Sequence, residues 1–511
     1  MNLVMNASSI RRLFLAILAW GVAGAFPSNG LPQARATLPE FDAWDVAQIN
    51  GQRVGYARTT ARMVEESGRQ VAKVRQVLKI SLQRFGQQSS FEVDYSDTET
   101  PDGALLDFEL VIQQGQTPMR TIGKVVEGRL ELQIESKNQK QKHSVAWPAG
   151  AKGLLGPELS LRSNPLKPGQ HRTVEHLDIG NQTATTEMTA KEEGTVDLPG
   201  GRFRLLKIDS VERMPPDPDG QRVEIPGAVW TNATGEAMKS WIKPMNMEIF
   251  RVTKEAALTK TPLARLDLGK ATLVKIDRAI PRAHNTRQVR YRIRLDDGDP
   301  LAALPASLSQ EVKRVDEHTA EVTVRAIRPR SGENENADKS STPTDADRRP
   351  NNFIQSDDPL IVAQAKEAVG GETDPWKIAV ALEAFVNRAV TLKDFTQAMA
   401  TASEVAQSRE GDCKAHAVYL AALARAAKIP ARVAIGLVYM PQSQAFGYHM
   451  WTEVFVAGHW IALDATLAKG GIGGGHLQLG HSSLAGAAAY NSFLPVMQVV
   501  GRLKVEVLDW E

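Results

Sequence analysis

Three residues of this 511-residue sequence combine types and an order that suit covalent chemistry: Cys413, His449 and Asp464. Cys413 is the single cysteine of the sequence. Cysteine, histidine and aspartate in this order can form a thiol acyl-transfer site, in which a thiolate attacks an amide, an imidazole handles the proton and a carboxylate orients the imidazole. The sequence therefore predicts a nucleophilic site within residues 409–466.

The residues around Cys413 predict that it lies in the first turn of a helix. Gly411 and Asp412 precede an alanine- and leucine-rich run at 414–428, so Asp412 is a suitable N-cap. A helix N-terminus and a nearby imidazolium can lower a thiol pKa from about 8.5 to roughly 3.5–7.5. The backbone N–H of Cys413 would also serve as one donor to an oxyanion.

His449 and Asp464 are expected on consecutive strands joined by a two-residue turn at Ala457 and Gly458. With that turn, Val456 pairs with His459, and Asp464 becomes a diagonal neighbour of His449 on the same face of the hairpin. A three-residue loop would reverse the alternation of faces. The two-residue turn would allow the carboxylate to reach the imidazole.

The same segments closely resemble the transglutaminase-like superfamily. The resemblance is carried by 411–413, the alanine-rich helix through 425–432, the run 449–454, Trp460, and 464–466, and it covers about 355–470. It implies a papain-like α+β core with Cys413 as nucleophile, His449 as general base and acid, and Asp464 as the orienting residue. The β-rich N-terminal half has no counterpart in it.

The resemblance implies attack on a protein or peptide amide and a Cys413 thioester that is resolved by an amine or by water. The outcome would be transamidation, deamidation or proteolysis, carried out by an acyltransferase or by a cysteine protease or amidohydrolase. No calcium-loop pattern of spaced acidic residues is present, so we expect no metal, and we expect no cofactor. A zinc site of Cys413, His416 and His449 matches no closed structural set.

Other interpretations of these residues remain open at this level. Cys413 could be an inert core residue, and the domain could be a catalytically silent module within a binding or structural protein. His416 is expected on the side of its helix, hydrogen-bonded or solvated. We expect His476 and His481 to face solvent, and the tryptophans at 451 and 460 to line the site or the core.

The order of sequence patterns predicts an α+β protein. Short alternating runs such as 91–95 and 130–134 indicate a large antiparallel β region, whereas helical periodicity dominates after residue 353. Glycines within 470–475 suggest a mobile flap. The predicted organisation is a signal peptide at 1–36, a β-rich domain at 37–278, a small β unit at 279–328, a flexible linker at 329–353 and the transglutaminase-like catalytic domain at 354–511.

The first residues predict export. Arg11 and Arg12 precede an apolar run at 13–22, and 23–25 offer a small-residue cleavage site. The run is shorter than the about 20 residues that span a bilayer, so we expect a periplasmic or secreted protein without a stable membrane span. The paired arginines also resemble a twin-arginine signal. With 61 basic and 59 acidic residues, nothing indicates nucleic-acid binding.

Overall fold

The fold is mostly sheet, with 50% of the described residues in strands and 18% in helices. The computed structural model describes residues 38–113, 117–136, 139–215, 223–259, 267–296, 298–329, 342–396, 399–485, 496, 499 and 501–511. The predicted signal peptide and residues 330–341 of the predicted linker lie outside these ranges. None of the helices in the described ranges is both long and apolar enough to cross a membrane.

A 14-stranded antiparallel sheet accounts for the N-terminal half, as the sequence predicts. Its strands are β1 (Phe41–Ile49), β2 (Gln52–Glu66), β3 (Arg69–Arg84), β4 (Gln87–Glu99), β5 (Leu105–Gln113), β6 (Met119–Val126), β7 (Arg129–Ser136), β8 (Gln139–Ala146), β9 (His171–Leu177), β10 (Thr183–Leu198), β11 (Gly201–Arg213), β12 (Glu224–Thr231), β13 (Ala237–Ile242) and β14 (Met247–Val252). They follow the order β8-β7-β6-β5-β4-β3-β2-β1-β14-β13-β12-β11-β10-β9. Two meanders therefore join where β1 pairs with β14.

Alternating apolar residues and tight turns explain this sheet. Val93 and Tyr95 in β4, and the apolar residues at 130, 132 and 134 in β7, are buried while their neighbours are more exposed. Phe85 and Gly86 form the two-residue turn between β3 and β4, with φ values of 50° and 85°. Positive φ at both positions matches the twist of the flanking strands, which favours a long regular hairpin.

Two smaller antiparallel sheets follow along the chain. Their strands are β15 (Val274–Lys275), β16 (Gln288–Leu295), β17 (Gln310–Arg314), β18 (Thr319–Arg325), β19 (Ala431–Met440), β20 (Ala445–Val456), β21 (His459–Leu463), β22 (His476–Ser482) and β23 (Leu503–Trp510). The first sheet has the order β17-β18-β16-β23, and the second has the order β15-β20-β19-β22, with β21 also paired to β20.

A layer of helices from the C-terminal part packs beside the β19–β22 sheet, and the other helices contact strands elsewhere. The helices are α1 (Gly156–Ser163), α2 (Lys254–Leu258), α3 (Leu268–Ala271), α4 (Pro300–Ala303), α5 (Pro359–Val369), α6 (Pro375–Ala389), α7 (Ala402–Ser408) and α8 (Cys413–Ala426), with 3-10 turns at Lys243–Met245 and Asp345–Asp347. α8 packs against β19 and β20 on one side and against α5, α6 and α7 on the other. Residues 415–425 of α8 are accordingly all buried.

The glycine-rich segment is not a flap, so that prediction is wrong. Residues 471–475 are buried, and Gly475 accepts a hydrogen bond from the backbone N–H of Tyr439 at 2.8 Å. A Cβ at Gly473 would lie 2.6 Å from the backbone of His284. The glycines here permit close packing of two backbones, which fixes the start of β22 beside β19.

Candidate active site

Cys413 lies at the first position of α8, where the sequence predicts it. Asp412 is the N-cap, and its Oδ1 accepts a hydrogen bond from the backbone N–H of Lys414 at 3.0 Å. Cys413 as a residue is half-buried. At this position the unpaired amides and the dipole of the helix favour an anion, which is the form that acts as nucleophile.

A tight hairpin brings His449 and Asp464 together. Ala457 and Gly458 form the two-residue turn, with φ values of 53° and 83°, and Val456 pairs with His459 as the sequence predicts. Nε2 of His449 lies 2.8 Å from Oδ2 of Asp464. The imidazole is also hydrogen-bonded to the Cys413 thiol.

The Asp464 carboxylate is buried and hydrogen-bonded through both oxygens. Oδ2 lies 2.8 Å from His449 Nε2 and 3.0 Å from His476 Nε2. Oδ1 accepts hydrogen bonds from the backbone N–H and the hydroxyl of Thr466, at 2.9 and 2.6 Å. Four partners fix the orientation of this carboxylate and satisfy its charge in a buried position.

These contacts shift the pKa of each member of the group. Burial and the charge of Asp412 raise the pKa of the Cys413 thiol, but the charge and hydrogen bond of His449, together with Lys414, bring it below its ordinary value. Burial lowers the pKa of His449, yet the charges of Asp464 and Cys413 and its hydrogen bonds to both raise it to about 10. A thiolate–imidazolium pair is therefore favoured at neutral pH.

His476 is a member of the site that the sequence analysis missed. It is 1% exposed rather than solvent-facing, because β22 runs beside β19 and directs it toward Asp464. Burial lowers the pKa of His476, although Asp464 opposes this through a hydrogen bond and its charge. A neutral imidazole that donates through Nε2 fits that position. No sequence pattern marked β22 as a strand.

Glu383 supports the site from α6. Its Oε1 accepts a hydrogen bond from the backbone N–H of Asp464 at 3.0 Å, and its Oε2 accepts one from Gly470 at 2.8 Å. The sequence carries a signal for it, because Glu383 falls on the buried face of α6 with Ala379, Leu382 and Val386. A carboxylate on an apolar helix face requires polar partners inside the fold.

Of the remaining candidates, His416 and Trp451 lie beside the site, whereas Trp460 packs away from it. Nδ1 of His416 lies 2.8 Å from the backbone oxygen of Asp412, so His416 is buried and hydrogen-bonded rather than solvated. Trp451 stacks beside His449 with ring centroids 6.2 Å apart. Trp460 instead packs against Phe455 and Arg432.

One group within the described ranges could hold a metal ion. Ligand atoms of His449, Asp464 and His476 all lie within 4.8 Å of one another. Nε2 of each histidine already faces Asp464 Oδ2, so a cation would have to displace both of these hydrogen bonds. Metal binding there would remove the orientation of His449, and the arrangement is better suited to an acid–base group than to a metal centre.

Comparison with known proteins identifies the domain that holds these residues. Residues 362–465 match the sequence profile of the transglutaminase-like superfamily, so the chain carries a transglutaminase-like domain. The match contains Cys413, His449 and Asp464 and leaves out the N-terminal sheet. It confirms the family resemblance, while the roles of the three residues stay a prediction. A comparison with curated protein sequences finds no match.

Several solved structures are similar to parts of this chain. A proposed cysteine protease from Cytophaga hutchinsonii has 16% identity and a TM-score of 0.29, over 44% of this chain and 86% of that one. A beta-barrel-like protein of a domain of unknown function from Brucella abortus has 10% identity and a TM-score of 0.33, over 43% and 98%. A TGase has 17% identity and a TM-score of 0.18, over 33% and 46%. The domain assignment rests on the family profile.

Proposed function

We propose that this protein is an exported transglutaminase-like cysteine enzyme that acts on protein or peptide amides. The observation that carries the proposal is the continuous hydrogen-bonded series from Cys413 through His449 to Asp464. The export signal and the protein substrate are part of the proposal, drawn from residues 11–25 and from the family resemblance. The connected side chains favour an enzyme over a catalytically silent module.

The arrangement supports a two-stage acyl transfer. The Cys413 thiolate attacks the amide carbonyl carbon, and the backbone N–H of Cys413 stabilises the oxyanion. His449 donates its proton to the departing nitrogen, so the C–N bond breaks and a thioester remains. An amine or water, deprotonated by His449, then attacks the thioester and releases Cys413 as a thiolate. Asp464 keeps the imidazole oriented throughout.

Alkylation of the single cysteine tests the ion pair without a known substrate. We expect iodoacetamide to label Cys413 rapidly at a pH well below that at which an ordinary thiol reacts, because the thiolate is the reactive species. His449→Ala should move this pH dependence toward the ordinary thiol range. Slow labelling of the wild type with an ordinary thiol profile would contradict the ion pair.

Activity is tested with a peptide library, with and without a primary amine, analysed by mass spectrometry. Amine-dependent mass gain indicates transamidation, a gain of about 1 Da indicates deamidation, and new termini indicate proteolysis. Cys413→Ala is the matched control and should abolish every product while the fold, followed by circular dichroism, stays intact. Identical product patterns from the two proteins would exclude Cys413 as the nucleophile.

A further inference from the structure

The tip of the β3–β4 hairpin is held in a fixed position. Its turn residues, Phe85 and Gly86, donate their backbone N–H groups to the two oxygens of Asp267, at 2.8 and 2.9 Å. The Phe85 ring lies directly over Gly269, where a Cβ would come within 2.9 Å of it. The tip of this long hairpin is therefore anchored at its end as well as within the sheet.

The same tip contacts the segment that borders the nucleophile. Gln87 accepts a hydrogen bond from the backbone N–H of Phe395 at 2.6 Å and donates one to the oxygen of Lys393 at 3.3 Å. The rings of Phe85 and Phe395 lie 5.1 Å apart. This segment in turn bonds to the approach to α8, because Gly411 donates its N–H to Leu392 at 2.9 Å.

Arg84 extends this contact to the residue next to Cys413. Its Nη1 lies 3.2 Å from Oδ2 of Asp412, whose side chain is only 3% exposed. The Lys414 ammonium binds the same oxygen. Asp412 thus receives two cationic partners, one from its own helix and one from the N-terminal sheet, 328 positions earlier in the chain.

We propose that Arg84 is a positioning residue of the active site, and that its positive charge offsets the charge of Asp412 beside the nucleophile. The inference rests on the proposed role of Cys413. A buried carboxylate adjacent to a thiol disfavours the thiolate unless a cation balances it. The N-terminal sheet therefore supplies part of the charge that keeps Cys413 reactive, and the family profile at 362–465 does not contain that part.

The charged groups around Cys413 and its two partners, Asp412 and His449, come from four elements. Two belong to the helix of Cys413 or its cap, one to β20, one to the residue that follows β21 and one to the N-terminal hairpin, and a buried histidine lies one turn along the helix. These groups are Asp412, Lys414, His449, Asp464, Arg84 and His416. Among them only Arg84 comes from outside the C-terminal part, so it can be changed without altering the family motif.

The test compares the pH dependence of iodoacetamide labelling at Cys413 in the full chain. Arg84→Ala and Arg84→Gln should raise the midpoint of the labelling pH profile by about 0.5 to 1 pH unit, since each removes a positive charge close to a buried carboxylate. Arg84→Lys keeps the charge and should restore the wild-type midpoint. Arg75→Ala is the matched control, because Arg75 lies on the same strand and pairs with Asp94 on an exposed surface.

The outcomes separate this inference from the proposed function. A wild-type midpoint in the ordinary thiol range would contradict the Cys413–His449 ion pair itself. A low wild-type midpoint that Arg84→Gln leaves unchanged would overturn only the role of Arg84. If Arg84 acted only structurally, Arg84→Gln and Arg84→Lys would lower the unfolding temperature equally and would have the same labelling midpoint. That result would also overturn the proposal.

Discussion

Among the single residues, Asp464 determines the orientation and the protonation state of the side chains around it. Its two oxygens contact His449, His476 and Thr466, and its charge raises the pKa of His449. Because the carboxylate is buried, burial raises its pKa, but the charge and hydrogen bond of His449 and those of His476 hold that pKa well below the usual range. The carboxylate is therefore ionised at neutral pH.

Replacing Asp464 by Asn should leave Cys413 in place but remove the charge that favours the imidazolium. We expect a loss of turnover of about 10⁴-fold, as seen when the orienting carboxylate of a catalytic triad becomes an amide. The pKa of His449 should fall from about 10 toward its ordinary value. Steady-state kinetics and titration of the histidine by NMR measure the two effects, and unchanged turnover would argue against the assigned role.

The pH dependence of turnover should show a broad plateau. Turnover should rise as Cys413 loses its proton, below the ordinary thiol range, and fall as His449 loses its proton near pH 10. A turnover maximum confined below pH 6 would contradict these pKa shifts.

The imidazolium also stabilises the fold. This contribution to the free energy of unfolding is complete below the unfolded pKa of 6.5 and is lost as pH rises through about 10.

His476 should act through Asp464 rather than on the substrate. His476→Gln removes the imidazole N–H from Oδ2, and we expect turnover to fall about 10-fold, the size typical of groups that orient another residue. The KM should change little, because His476 is buried behind Asp464. His481→Gln, on the same strand, is the control and should keep wild-type turnover. Equal effects of His476→Gln and His481→Gln on turnover would contradict a role of His476 in the site.

At the scale of elements, short-range signals predict the hairpin well. The turn at Ala457 and Gly458 fixes the register, and the register places His449 near Asp464. The N-cap at Asp412 fixes the start of α8 in the same way. By contrast, β22 carries His476 through a glycine-rich approach whose packing depends on the distant backbone of 283–284, so sequence patterns could not reveal it.

Glu383 connects α6 to the end of β21, and its ionisation should oppose folding. Burial raises its pKa to about 7 from an unfolded value of 4.5. The native state thus binds its proton more tightly, and stability falls by about 3 kcal/mol as pH rises from 4.5 through 7. Glu383→Gln should be less stable than wild type at pH 5, and that difference should shrink toward pH 8.

Urea unfolding at several pH values measures this difference. Glu367→Gln, on the exposed side of α5, is the control and should show the same pH dependence as the wild type. A constant difference between Glu383→Gln and the wild type from pH 5 to pH 8 would mean that Glu383 does not titrate in this range. Comparing variants cancels the contributions of the other buried carboxylates.

At the scale of the whole molecule, the two halves share one apolar core. A single buried cluster contains Tyr95 and Leu130 from the N-terminal sheet together with Leu382, Leu420 and Val454 from the transglutaminase-like part. The described residues form one compact unit. The contact between halves is thus extensive enough to couple their stabilities.

We therefore expect the two halves to unfold together. Differential scanning calorimetry of the full chain should give one transition whose calorimetric and van't Hoff enthalpies agree. Residues 354–511 expressed alone should lack native stability, because α5 to α8 would expose the surface that the N-terminal sheet covers. Two separate transitions, or a stable isolated C-terminal part, would contradict this coupling.

Long-range pairing marks the limit of what the sequence predicts. Local alternation indicates strands, but nothing in it states that β1 pairs with β14, or that β16 pairs with β23 some 215 residues later. The Arg84–Asp412 contact is also a long-range contact that no local pattern indicates. Such pairings are selected by the total packing of the molecule, so each local segment carries too little information to specify them.

If the thiol at the start of α8 is reactive as proposed, it also decides how the protein responds to oxidants. A thiolate is readily converted to a sulfenic acid, and this sequence contains no second cysteine to capture it as a disulfide. Recovery must then come from a thiol in the surroundings, and without one further oxidation to the sulfinic acid is irreversible. The redox state of its compartment would thus set the active fraction of this protein.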